Sequence, residues 1–85
     1  MIKLRPAVKR FAEEMEKVLR KHDNNKGGWD DTKNTIQFLR DKLDEEYLEV
    51  KNAEGIFNIF ELVDISNICM MLFSRYACWS KKYLK

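Results

Sequence analysis

Apolar residues recur along this chain at spacings of three and four, as expected of helices that each present one greasy face. From Pro6 the set is Val8, Phe11, Met15, Val18 and Leu19. Pro6 suits a first helical turn, where a backbone N–H would have no partner in any case. Lys21 and His22 put cations where the carbonyl end of a helix favours them. The turn-rich run Asp23-Asn24-Asn25-Lys26-Gly27-Gly28 predicts the stop. A second helix is expected to start near Asp31 or Thr32, either of which can cap it. Its apolar positions are Ile36, Leu39, Leu43, Tyr47 and Val50. Asn52-Ala53-Glu54-Gly55 predicts the next break, with Gly55 supplying the left-handed conformation. A third segment from Ile56 carries Phe57, Phe60, Val63, Ile68, Met71 and Leu72. It runs either to Tyr83 or to a break near Ser74 or Ser80 that leaves a short fourth helix. No period-two stretch is bounded by hairpin turn residues, so strands are not expected. The pattern predicts an all-α fold, an antiparallel bundle of three to four helices.

Eighty-five residues suffice for one small domain, spanning 1–85. A chain of this size buries only about 60–65% of its unfolded surface and usually needs a disulfide, a metal or a second subunit. With 45% hydrophobic and 35% charged residues, three glycines and one proline, it is neither disordered nor collagen-like. Sixteen Lys and Arg against fourteen Asp and Glu leave a net charge of +2, too balanced for an electrostatic grip on nucleic acid. Met-Ile-Lys-Leu-Arg-Pro interleaves charge with apolar residues, unlike a signal peptide. The longest apolar-rich window, Ile65 to Phe73, is about half of what a membrane span requires. A cytoplasmic location is therefore expected, with neither membrane nor nucleic acid as partner. Cys69 and Cys78, without CxxC spacing or a nearby His, are expected to be reduced core or interface thiols rather than zinc ligands.

Acids on the apolar faces change the picture. Glu46 and Glu49 are three apart on the second helix, and Glu46 follows Leu39 and Leu43 along the greasy stripe. Glu61 and Asp64 repeat that offset on the third helix, with Asp64 among Phe57, Phe60, Ile68 and Met71. If the break near Ala53 is the apex of a hairpin, the two pairs overlap within one or two turns, at about 1.5 Å per residue. Four carboxylates then converge, and like charges so close require a cation or a proton. All-oxygen ligands favour Mg²⁺, with Mn²⁺ as a substitute, over zinc or copper. Ferritin-like iron sites pair Glu-x-x-His motifs, and His22, the one histidine, lies in another segment. The competing expectation is that these acids are surface residues paired with Arg40, Lys42 or Lys51.

Glu45-Glu46-Tyr47-Leu48-Glu49 followed by Glu61-Leu62-Val63-Asp64 has the form EExxE…ExxD, which resembles the MazG-like, all-α nucleoside triphosphate pyrophosphohydrolases. Lys26-Gly27-Gly28-Trp29 is similar to the KGGW stretch of small, often phage-borne members. Asp64-Ile65-Ser66-Asn67 resembles the family's DxxN continuation, and the likeness covers roughly Phe11 to Phe73. The resemblance implies hydrolysis of a nucleoside triphosphate between its α and β phosphates, giving a monophosphate and pyrophosphate. It implies Glu46, Glu49, Glu61 and Asp64 as Mg²⁺ ligands, with Glu45 able to bind metal or take the proton of the attacking water.

Among the remaining polar residues, Asn67 lies one turn beyond Asp64 on the same face, placed either to touch sugar or base or to satisfy a neighbour in the core. Trp29 can stack on a base or close a small core, and Lys26 can reach phosphate or stay solvated. Arg75, Lys81 and Lys82 form a basic C-terminal patch, and His22 reads as structural. Phe73, Tyr76 and Trp79 are more apolar surface than so thin a monomer buries, which points to a homodimer or a dimer of dimers, as the resemblance also implies. The alternative is an oligomeric helical module that binds nucleotide or protein without turnover.

Overall fold

In a computed structural model of the chain, residues 2–26, 34–55 and 58–80 are described, with side chains through 24 in the first stretch and 77 in the last. They form three helices and, among the described residues, no strand: α1 (Pro6–Lys26), α2 (Ile36–Asn52) and α3 (Asn58–Ser80). Pro6 opens α1 as expected, and the first described bond of that helix runs from Lys9 N to the Arg5 carbonyl at 3.0 Å. The stop falls later than the turn-rich run implied, because Asp23 to Lys26 continue the helix.

Helix α2 begins after Thr35, not at Asp31 or Thr32, which lie outside the described residues. The Thr35 hydroxyl accepts from Phe38 N at 3.1 Å, satisfying one of the four N–H groups that a helix start leaves open. At the other end Ala53 closes α2, its N–H donating to the Glu49 carbonyl at 2.9 Å. Gly55 then takes φ +60°, the left-handed residue expected of this turn. Helix α3 runs unbroken to Ser80, so neither Ser74 nor the stretch from Tyr76 starts a fourth helix among the described residues. Mid-helix serines are held internally instead: Ser66 Oγ donates to the Leu62 carbonyl and Ser74 Oγ to Met70 Sδ.

Both α1 and α2 pack on α3, and they do not pack on each other. The core is correspondingly thin. Leu39, Val63 and Leu72 are buried, and Asn67 is buried among them at 3% exposure. Several residues read as core face outward: Val8 and Phe11 on α1, Tyr47 on α2 and Phe60 on α3. The inner stripe of α2 runs Leu39, Leu43, Glu46, Val50, which turns Tyr47 to one side, with the Lys51 ammonium 5.4 Å from its ring centroid. Cys69 is exposed, which removes it from the core, and the Cys78 side chain lies outside the described residues. No helix among the described residues is long and apolar enough to cross a membrane.

Candidate functional site

Since α1 and α2 each contact only α3, a cleft opens between them with α3 as its floor. Its volume is about 290 Å³, at the lower end of small-molecule sites. Phe38, Leu39, Ile68 and Met71 give it an apolar side, and Glu46 and Asp64 stand in its wall. His22 from α1 and Lys42 from α2 bring basic side chains to the same space.

Carboxylate oxygens of Glu46, Glu61 and Asp64 all lie within 4.8 Å of one another. The hairpin achieves this because 46 lies on the inner stripe of α2 while 61 and 64 share one face of α3. Glu49, one turn further along α2, is exposed, and its charge acts on both Glu46 and Glu61. Three of the four expected ligands are therefore brought into one group, and Glu49 stands outside it beside Glu61. Glu46 and Asp64 face the cleft, whereas Glu49 and Glu61 line a shallow depression at the α2–α3 turn with Glu54. The cluster joins the two hollows.

Its electrostatics are strained in the sense that like charges impose. Burial, the neighbouring Glu49 carboxyl and the charge of Asp64 push Glu46 up from its ordinary 4.5 to about 7, against the opposing pull of Lys42. Glu61 is raised by burial and by Glu49 and Asp64. Asp64 is raised by burial and by Glu49, while His22 and Lys42 work the other way. Buried Oε2 atoms of Glu46 and Glu61 have no hydrogen-bond partner among the described residues. Oxygens from three acids in a group this small could share one cation or hold protons between them.

Glu45 is not brought into this group. It is exposed and accepts from Lys42 Nζ at 3.3 Å, because its neighbour Glu46 holds the inward position and 45 is rotated off the stripe. Asn67 is placed as expected, one turn beyond Asp64 and in the wall of the cleft. Its Nδ2 donates to the Met15 carbonyl at 3.3 Å, and its buried Oδ1 has no partner among the described residues, a situation that costs about 1–3 kcal/mol. The Lys26 side chain and all of Trp29 lie outside the described residues, as do Lys81 and Lys82.

Two cleft residues escaped sequence reasoning. His22 was read as structural, and the structure sets it against Asp64 across the cleft. Lys42 was read as a surface partner for the acids, yet it lies between Glu45 and the cleft and acts on both Glu46 and Asp64. A signal for Lys42 was present: 42, 46 and 49 share one face of α2 at spacings of four and three. Comparison of the chain with family models, curated proteins and solved structures finds no match.

Proposed function

We propose that this chain is a Mg²⁺-dependent nucleoside triphosphate pyrophosphohydrolase of the MazG-like kind, converting a (deoxy)nucleoside triphosphate to its monophosphate and pyrophosphate. The observation that carries the reading is the meeting of Glu46, Glu61 and Asp64 beside a partly apolar cleft, at the positions of the EExxE…ExxD pattern.

Glu46, Glu49, Glu61 and Asp64 would hold the cation, with Mn²⁺ able to replace it. When bound, the cation neutralises polyphosphate charge and makes a water more acidic. The chain's own residues do the rest. Carboxylates of the cluster, Glu46 among them, accept the water's proton. Lys42 and His22 face the negative charge of the phosphates from opposite walls. Glu45 acts on Lys42, holding the ammonium at the cleft edge. The apolar side, with Asn67 in the wall, receives the nucleoside.

Self-association completes the proposal. Phe60 and Phe73 on α3 are 64% and 71% exposed, and Val8 and Phe11 on α1 add to the apolar surface. A homodimer, or a dimer of dimers, covers these faces. Light scattering on the eluted protein reads this directly, and a monomer at micromolar concentration would remove this part of the proposal.

The test of activity is pyrophosphate release from a panel of ribo- and deoxyribonucleoside triphosphates with Mg²⁺, Mn²⁺ or EDTA, beside Glu46→Gln. Metal-dependent release that the variant lacks supports the reading. No release by folded, metal-loaded protein would leave a binding module in its place.

A further inference from the structure

Helix α3 is apolar on two sides. Only Glu61, Asp64 and Arg75 carry charge along it, and Val63, Asn67 and Leu72 are buried where the other helices pack on it. The side turned away from that packing carries Ile59, Leu62, Ser66, Cys69, Phe73 and Tyr76, spaced three, four, three, four and three apart. This is the seam spacing of a helix that packs lengthwise on another helix, sustained over about 27 Å. None of the six is charged. Ile59, Leu62, Phe73 and Tyr76 are 43–71% exposed, and Cys69 is exposed as well. The Ser66 hydroxyl donates to the Leu62 carbonyl at 2.7 Å, so it turns little polarity outward. A helix apolar all round belongs in an interior, and here only one side has a cover.

The stripe is also palindromic in size: two large residues, two small, two large. Ile59 with Tyr76, Leu62 with Phe73 and Ser66 with Cys69 are three pairs centred on one point. A two-fold axis at that point sets each residue against its counterpart, the self-complementarity of an isologous contact. Small residues at the axis let the backbones approach, and large ones close the ends. Charge selects the antiparallel direction. Glu49, Glu54, Glu61 and Asp64 gather toward the Gly55 end of α3. Antiparallel pairing lays that acidic end beside the Arg75 end of the other copy, whereas parallel pairing would press two acidic ends together. At about 200 Å² for a large side chain, the exposed fractions amount to roughly 400 Å² per copy. Over a pair, with Ser66, Cys69 and the adjoining Met70, this reaches about 1,000 Å², the least that a specific interface buries.

We propose that this stripe of α3 is a two-fold interface on which a second copy of the chain docks antiparallel. Leu62 meets Phe73 of the partner subunit, and Ser66 meets the partner's Cys69. The proposal rests on the self-association reading above and not on the nucleotide reading. Cys69 thereby becomes an interface thiol, and Glu61 and Asp64, on another face of α3, stay outside the contact.

Sedimentation equilibrium over a concentration series, with circular dichroism to check the fold, tests the proposal through Leu62→Lys and Phe73→Glu. The wild type should dimerise, and each variant alone should do so at least tenfold more weakly, because each buries an unpaired charge. An equimolar mixture of the two variants should recover a heterodimer, since the new lysine then faces the new glutamate. Parallel pairing would set 62 against 62 and 73 against 73, and mixing would restore nothing. If a charged variant does not fold alone, Ser66→Cys in a Cys78→Ser background supplies the second measurement. Oxidation should then give a disulfide-linked dimer whose peptide map joins position 66 to Cys69 of the partner subunit. A dimer that both charged variants leave intact, a mixture that recovers nothing, or a map joining Cys69 to the partner's Cys69 overturns the proposed interface while self-association stands. A monomeric wild type overturns self-association as well.

Discussion

Replacing Glu46 by glutamine should stabilise the protein when no divalent cation is present. The group's environment favours its protonated form, so below its ordinary 4.5 the carboxyl is neutral in both states and imposes no cost. Between 4.5 and about 7 the folded state holds a proton that the unfolded state releases, and stability falls as pH rises through that window. Above about 7 the cost is complete. At about 1.4 kcal/mol per pKa unit, the rise sets an upper limit of about 3 kcal/mol. Solvent reaches part of Glu46, and screening reduces this to about 1–2 kcal/mol. Glutamine keeps the shape and carries no charge. Urea unfolding in EDTA at pH 8 and fixed protein concentration should therefore show Glu46→Gln more stable by that amount, a gain of about 5–10 °C in melting temperature. At pH 4 the two proteins should coincide. A variant equal to or less stable than the wild type at pH 8 in EDTA would refute the claim that these carboxylates repel one another.

The same electrostatics predict that Mg²⁺ affinity, measured by calorimetry, rises from pH 5.5 to pH 8, because Glu46 must lose its proton to bind it and the raised Glu61 and Asp64 act in the same direction; a flat profile would contradict the site. Leu39→Ala, at the one side chain buried to 1% exposure, should cost about 2–4 kcal/mol by urea unfolding, and a loss below 1 kcal/mol would show that the thin core is covered differently. Gly55→Ala should cost about 1 kcal/mol through its φ of +60° alone, since an added Cβ meets nothing within 4 Å; Gly55→Asn, which tolerates that conformation, should cost less.

Spacing made the carboxylate cluster legible. Offsets of three on each side of a short break decide which acids meet, and the hairpin at Gly55 carries them to one level. Periodicity was a poorer guide to what is covered. Val8, Phe11, Tyr47 and Phe60 all sit at helical spacing, yet burial also needs a neighbour, and among the described residues the backbones of α1 and α2 do not come close. The start of α2 was obscured because Asp30, Asp31, Thr32, Asn34 and Thr35 all offer capping side chains, and Thr35 is the residue that caps the helix, accepting from Phe38 N. Ser74 suggested a break, but a serine that bonds within its own helix does not interrupt it. His22 and Lys42 have ordinary local explanations, a helix end and a surface ion pair. Their place in the cleft depends on packing between segments that are distant in sequence.

The central claim is that the clustered carboxylates direct cleavage between the α and β phosphates. A ³¹P spectrum of the protein incubated with a nucleoside triphosphate and Mg²⁺ tests it most directly, because it identifies the bond broken. The account predicts signals of monophosphate and pyrophosphate, absent with EDTA and absent from Glu46→Gln. Diphosphate with inorganic phosphate, or triphosphate unchanged by every nucleotide tried, would contradict it.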